Sequence, residues 1–175
     1  MKKTFKAIIS VLLVAVIVVA CFTACSNNAS NSDKVYKVGI CQLTQHEALD
    51  AATKGFRDAL TEKLGDKVVF DEQNASGEST NCTTIVSKFV SDKVDLILAN
   101  ATPALTAATE ATSTIPIVGT SITDYATALA ISDWNGKTGI NVTGTADLAP
   151  LKDQAAMIKE LVPNAKTVGI IYCSA

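Results

Sequence analysis

The sequence predicts an α/β domain built on a doubly wound parallel sheet. From Val35 onward, short apolar runs of strand length alternate with segments whose apolar residues recur at steps of three and four. Strands that alternate with helices in this way need crossover connections, so the sheet is parallel and carries helices on both faces. Right-handed crossovers then wind it doubly.

The first strand is expected from Val35 to Cys41. Leu49, Ala52, Phe56, Leu60 and Leu64 then mark one face of a helix. Thr44 with Glu47 gives it a potential capping box, and Gly65 a stop. Lys67 to Asp71 reads as a second strand and Asn74 to Gly77 as a polar loop. Ile85, Val86, Phe89 and Val90 mark a helix over about 79–92, and Val94 to Ala99 a third strand.

Thr102 followed by Pro103 reads as an N-cap with proline in the first helical position, opening a helix to about Thr112. Ile115 to Gly119 is the fourth strand, 120–137 is irregular, and Ile140 to Thr143 is a further strand candidate. Ala155, Ile158, Leu161 and Val162 mark a helix that Pro163 ends, and Val168 to Tyr172 a last buried strand. That strand opens a new βα unit without partners for its edge, so the chain reads as the N-terminal portion of a longer protein.

The N-terminus carries an export signal. Lys2, Lys3 and Lys6 precede an apolar run from Ala7 to Ala20, and small residues stand directly before Cys21 and Cys25. A basic start, a short apolar core and a small-residue cleavage site describe a secretory signal, and the small residue before Cys gives it the form of a bacterial lipoprotein site. Cys25 is the expected lipidation site, with Cys21 the alternative, because a polar tether of Ser and Asn follows Cys25 at once. An uncleaved membrane anchor is the competing reading. Residues 1–24 are thus assigned to the signal and 25–34 to the tether.

The chain has 15 basic and 17 acidic side chains, and loss of the three signal lysines leaves 12 basic ones. The exported part is therefore acidic and has no basic patch, which argues against a nucleic-acid partner. Cys41, Cys82 and Cys173 fall in no metal-binding or C-x-x-C spacing. They read as three buried thiols, or as one disulfide and one thiol.

Catalytic signals are few. His46 is the only histidine, and nucleophile-elbow, phosphate-loop and dinucleotide motifs do not occur. A Cys41–His46 nucleophile pair would need an orienting group that nothing supplies. The chain is accordingly read as no enzyme, with no cofactor and no metal. In this fold class ligands sit beyond the carboxyl ends of the strands, which selects Gln42 to His46, Asn100 to Thr102, Thr120 to Thr123 and the region of Asp147. Hydroxyls and amides there suit reversible recognition of a small polar molecule, and the helix N-termini at Thr44 and Thr102 favour an anionic group.

Several runs resemble the tryptophan-binding-like (TrpX-like) group of ABC-transporter substrate-binding proteins. They are Val38-Gly39-Ile40-Cys41-Gln42-Leu43, His46-Glu47-Ala48-Leu49-Asp50-Ala51 and Asn100-Ala101-Thr102-Pro103-Ala104. The runs Ile115 to Thr120, Asn141 to Leu148 and Pro163 to Tyr172 continue the resemblance in family order.

The resemblance implies a type I periplasmic-binding-protein fold, two lobes that close on a small solute. Residues 35–139 would form the first lobe, and 140–175 a hinge crossing and the start of the second. By position it implies ligand contacts from Gln42, His46, Asn100, Thr102, Ser121, Thr123 and Asp147. Thr102 and Ser121 would hold a carboxylate and Asp147 an amine. The implied ligand is an amino acid, aromatic in the family's best-known members; the implied partners are an ABC permease with its ATPase, and the membrane through the lipid anchor. A ligand-sensing lipoprotein feeding a chemoreceptor or sensor kinase is the alternative.

Overall fold

A computed structural model describes residues 34–171. The signal segment with Cys21 and Cys25, most of the tether, and Cys173 lie outside the described residues. Five strands, β1 (Tyr36–Gln42), β2 (Val68–Asn74), β3 (Leu96–Asn100), β4 (Ile117–Ile122) and β5 (Val142–Ala146), form one parallel sheet in the order β2-β1-β3-β4-β5. The helices are α1 (Glu47–Leu64), α2 (Ser79–Ser91), α3 (Thr102–Ala111), the short α4 (Tyr125–Ala128) and α5 (Leu151–Leu161).

The sheet is covered on two faces, as double winding requires. Alternate residues of β1 supply both cores, because successive side chains of a strand point to opposite faces. Val38 and Ile40 pack with Val68 and Leu98 under Phe56, Leu60 and Leu64 of α1. Cys41 packs with Ile97 and Ala99 under Cys82, Val86 and Phe89 of α2 and Leu105 and Ala108 of α3. Burying an aliphatic or aromatic side chain contributes roughly 1.5–3 kcal/mol, and the sandwiched strands β1 and β3 feed both cores. Gly39 has the same origin: a Cβ there would stand 2.6 Å from the Phe89 ring.

Four expectations change in detail. The N-cap of α1 is His46, whose Nδ1 accepts from the Ala48 amide at 3.2 Å, so the Thr44 capping box does not form. The N-cap of α3 is Ala101, with Thr102 already helical and Pro103 in the first turn as expected. The stretch after Gly119 is more ordered than composition suggested: β4 continues to Ile122, and Asp124 caps α4 by accepting from the Ala126 amide at 3.0 Å. Residues 168–171 form no strand; Ile170 and Ile171 are fully or nearly exposed. A parallel strand needs a neighbouring edge, and β5 occupies the one beside β4.

α5 forms where its periodicity places it, but all its residues are exposed, Leu151, Met157 and Leu161 included. β5, the segment expected to cross toward a second lobe, hydrogen-bonds to β4 as the sheet edge.

Candidate functional site

The strand order reverses between β1 and β3: from β1 the chain steps outward to β2, then returns to β3 on the other side. At such a switch point the crossovers leave in opposite directions and open a crevice at the carboxyl ends of the strands. Gln42 and Asn100 are register partners there, the last residues of their strands.

A buried relay joins them. Asn100 Nδ2 donates to the Thr53 hydroxyl at 2.9 Å and to the Leu49 carbonyl at 2.8 Å, and Thr53 donates to Gln42 Oε1 at 2.7 Å. Gln42 Nε2 in turn donates to Asp50 Oδ1 at 2.6 Å and to the Thr44 carbonyl at 2.8 Å. The Gln42 amide is thus committed to holding the β1–α1 loop and the first turns of α1. Asn100 is fully buried, yet its Oδ1 has no hydrogen-bond partner. Buried polar atoms are nearly always satisfied, and each exception asks for an explanation.

The next two strand ends carry unusual backbone. Ala101, directly after β3, has φ 91° and ψ 156°, a conformation open almost only to glycine. Ser121 lies in a bulge of β4, where Thr120 and Ser121 face the single residue Thr145 of β5, and adopts φ 57°. Bulges beside functional sites re-aim side chains. Ser121 is half-buried and Thr123 exposed. Asp147 follows β5, its amide bonded to the Ile122 carbonyl at 3.0 Å and its side chain exposed.

All seven residues selected from the sequence therefore lie on one edge of the sheet. Thr102, Ser121, Thr123 and Asp147 present polar groups at its rim, His46 caps α1, and Gln42 and Asn100 lie buried beneath. Sequence reasoning passed over Thr53, although a buried threonine one turn beyond Leu49 on an apolar helix face is a readable signal. Tyr125 was also missed. It packs where Gly119 and Gly144 leave no room for a Cβ, its hydroxyl 3.4 Å from the Thr145 carbonyl, and fixes the β4–β5 edge.

A cavity of about 430 Å³ lies against β5 and is lined by Tyr125, Trp134, Lys137, Thr138 and Val142 among others. It contains none of the seven selected residues. Among the described residues no group of three His, Cys, Asp or Glu side chains could hold a metal ion, and no helix is long and apolar enough to cross a membrane.

Comparison with known proteins decides the family. The family model described as ABC transporter substrate binding protein matches residues 37–175. The chain belongs to this family. Its members are solute-binding proteins rather than enzymes, and they work outside the cytoplasm. A tyrosine-binding protein of Clostridioides difficile (strain R20291) is 41% identical over 180 residues, covering 95% of this chain and 52% of the relative.

Two solved substrate-binding proteins resemble it in structure. The ligand-free, open form of a Clostridium difficile substrate-binding protein with adhesive properties has 40% identity and a TM-score of 0.67. An ABC domain from Streptococcus pneumonia in complex with L-Trp has 34% identity and a TM-score of 0.68. Each comparison covers 75% of this chain and 45% of the other. The chain thus spans about half the length of its relatives. The fold is that of a type I periplasmic binding protein, and the described residues form one α/β sheet domain.

Proposed function

We propose that this chain supplies the first lobe of a lipid-anchored solute-binding protein that captures an amino acid, aromatic by preference, and delivers it to an ABC permease. The observation that carries the reading is the bulge at Ser121 beside the strained Ala101: backbone held in costly conformations at two neighbouring strand ends, with a polar rim around them. Such strain persists where surrounding structure imposes it, and it gathers at ligand clamps. The C. difficile relative named for tyrosine and the L-Trp complex support the ligand class.

In this reading Thr102 and Ser121 hold the ligand carboxylate, aided by the N-terminus of α3. Asp147 takes the amine, and His46 and Thr123 line the rim. The unpartnered Asn100 Oδ1 accepts from a ligand donor or a bridging water, and Gln42 positions Asn100 through Thr53. Residues 35–139 act as the first lobe, and residues 140–175 as a hinge crossing and the start of the second. Closure of two lobes on the solute creates the form that docks on the permease. Cys25, or Cys21, carries the lipid.

Calorimetric titration of L-tyrosine and L-tryptophan into the protein produced from its whole reading frame tests the reading. Binding is expected in the micromolar range, weakened at least about tenfold, or ~1.4 kcal/mol, by Ser121→Ala or Thr102→Ala. No heat from any of the common amino acids would sink the assignment. Metabolic labelling with a fatty-acid analogue, lost in Cys25→Ala and kept in Cys21→Ala, tests the anchor separately.

A further inference from the structure

Cys41 and Cys82 are both fully buried thiols in the core between the sheet and α2. Their alignment follows from a contact nearby. Phe89 of α2 presses on Gly39 of β1 so closely that even a Cβ on Gly39 would collide with the ring. Cys41 lies two residues beyond Gly39 on the same face of the strand, and Cys82 lies seven residues, two helical turns, before Phe89 on the same face of the helix. A crossover helix runs antiparallel to the strand it covers, so both steps lead toward the carboxyl edge of the sheet and bring the two sulfurs together. Ala75 closes the corner: its amide bonds to the Gln42 carbonyl at 2.9 Å, and its carbonyl accepts from the Asn81 side chain at 3.1 Å.

We propose that Cys41 and Cys82 are a paired oxidation site, joined in the exported protein by a disulfide that ties the carboxyl end of β1 to the first turn of α2. The family works outside the cytoplasm, where disulfides form and persist. The step is a two-electron oxidation. Two S–H bonds break, one S–S bond forms, and a disulfide-bearing exchanger takes up both electrons and both protons as two thiols. Burial raises both thiols above the ordinary cysteine range, and Cys82 raises Cys41 further. The folded thiols are thus poor nucleophiles, and oxidation belongs to folding, before α2 docks. The bond is independent of which solute the protein carries.

The test is a refolding of the full chain in a glutathione redox buffer, with alkylation of free thiols and digestion by trypsin without reduction. Cys41, Cys82 and Cys173 fall in separate tryptic peptides, 38–54, 68–88 and one that begins at Thr167. The expected product is peptide 38–54 linked to 68–88, absent from Cys82→Ala. The oxidised protein should melt about 5–10 °C above the reduced protein, and reductant should leave the melting of Cys82→Ala unchanged. Separate alkylated peptides 38–54 and 68–88 after oxidative refolding would overturn the proposal. So would a predominant link to the peptide that carries Cys173, or an oxidised form less stable than the reduced one.

Discussion

Asn100 and Thr53 meet 2.9 Å apart between β3 and α1, the amide nitrogen donating to a hydroxyl that donates onward to Gln42. Every donor in the relay has one direction, because Asn100 and Gln42 offer Thr53 a donor on one side and an acceptor on the other. The relay sets the height of the switch point on which the candidate site rests.

Thr53→Val keeps the volume and removes the hydroxyl, leaving Gln42 Oε1 and one Asn100 N–H buried without partners. The expected cost is about 1–3 kcal/mol, read by urea denaturation, whereas Thr53→Ser should stay within about 1 kcal/mol of the native protein. Equal stability of the Val variant would show that the relay contributes nothing.

Ala101→Gly should stabilise the protein by up to about 1 kcal/mol, since relief of a strained backbone outweighs the extra chain entropy of glycine. Thermal melting measures it, and a loss of stability would contradict the strain at φ 91°.

Gly39→Ala places a methyl against the Phe89 ring and should cost about 1–3 kcal/mol. Pairing it with Phe89→Leu, which makes room, should recover part of that cost; a purely additive double variant would refute direct contact.

Asp71 accepts from Gln73 Nε2 at 2.5 Å and pairs with Lys88 at 2.5 Å. The Gln73 bond first, and then Lys88, hold its carboxyl below the ordinary carboxylate range. A folded value below the unfolded one gives stability that is complete above about pH 4 and lost as pH falls from there. The groups are partly exposed, so the contribution should stay under about 1 kcal/mol. Stability curves of the native protein and Asp71→Asn should therefore differ at pH 7 and draw together as pH falls from about 4 through the lowered folded value of Asp71. A gap that does not narrow as pH falls below about 4 would contradict this origin.

Much of this was legible in the sequence because the strands are doubly buried. Val38 to Cys41 and Ile97 to Ala99 feed both cores, so they read as unbroken apolar runs bounded by polar ends. Those polar ends, from Gln42 to Asp147, were legible as a candidate site for the same reason. What escaped was decided by tertiary context. An imidazole cap at His46 breaks the usual preference for hydroxyls and carboxylates. The positive φ of Ala101 and Ser121 runs against their own propensities, and the single turn of α4 is too short to show a period. The 168–171 run has strand composition, but composition does not supply the neighbouring edge a strand needs.

The carboxyl edge also bears on how this scaffold can change. Most of the residues that anchor the sheet, such as Ile40, Leu98 and Ile117, lie before the strand ends, whereas Thr102, Ser121, Thr123 and Asp147 lie at or beyond them. Rim substitutions therefore remove little buried apolar surface. If these four positions hold the solute as proposed, a lineage can exchange one solute for another there while the packing beneath drifts under separate constraints, and selection on recognition and selection on folding then act on largely different sites.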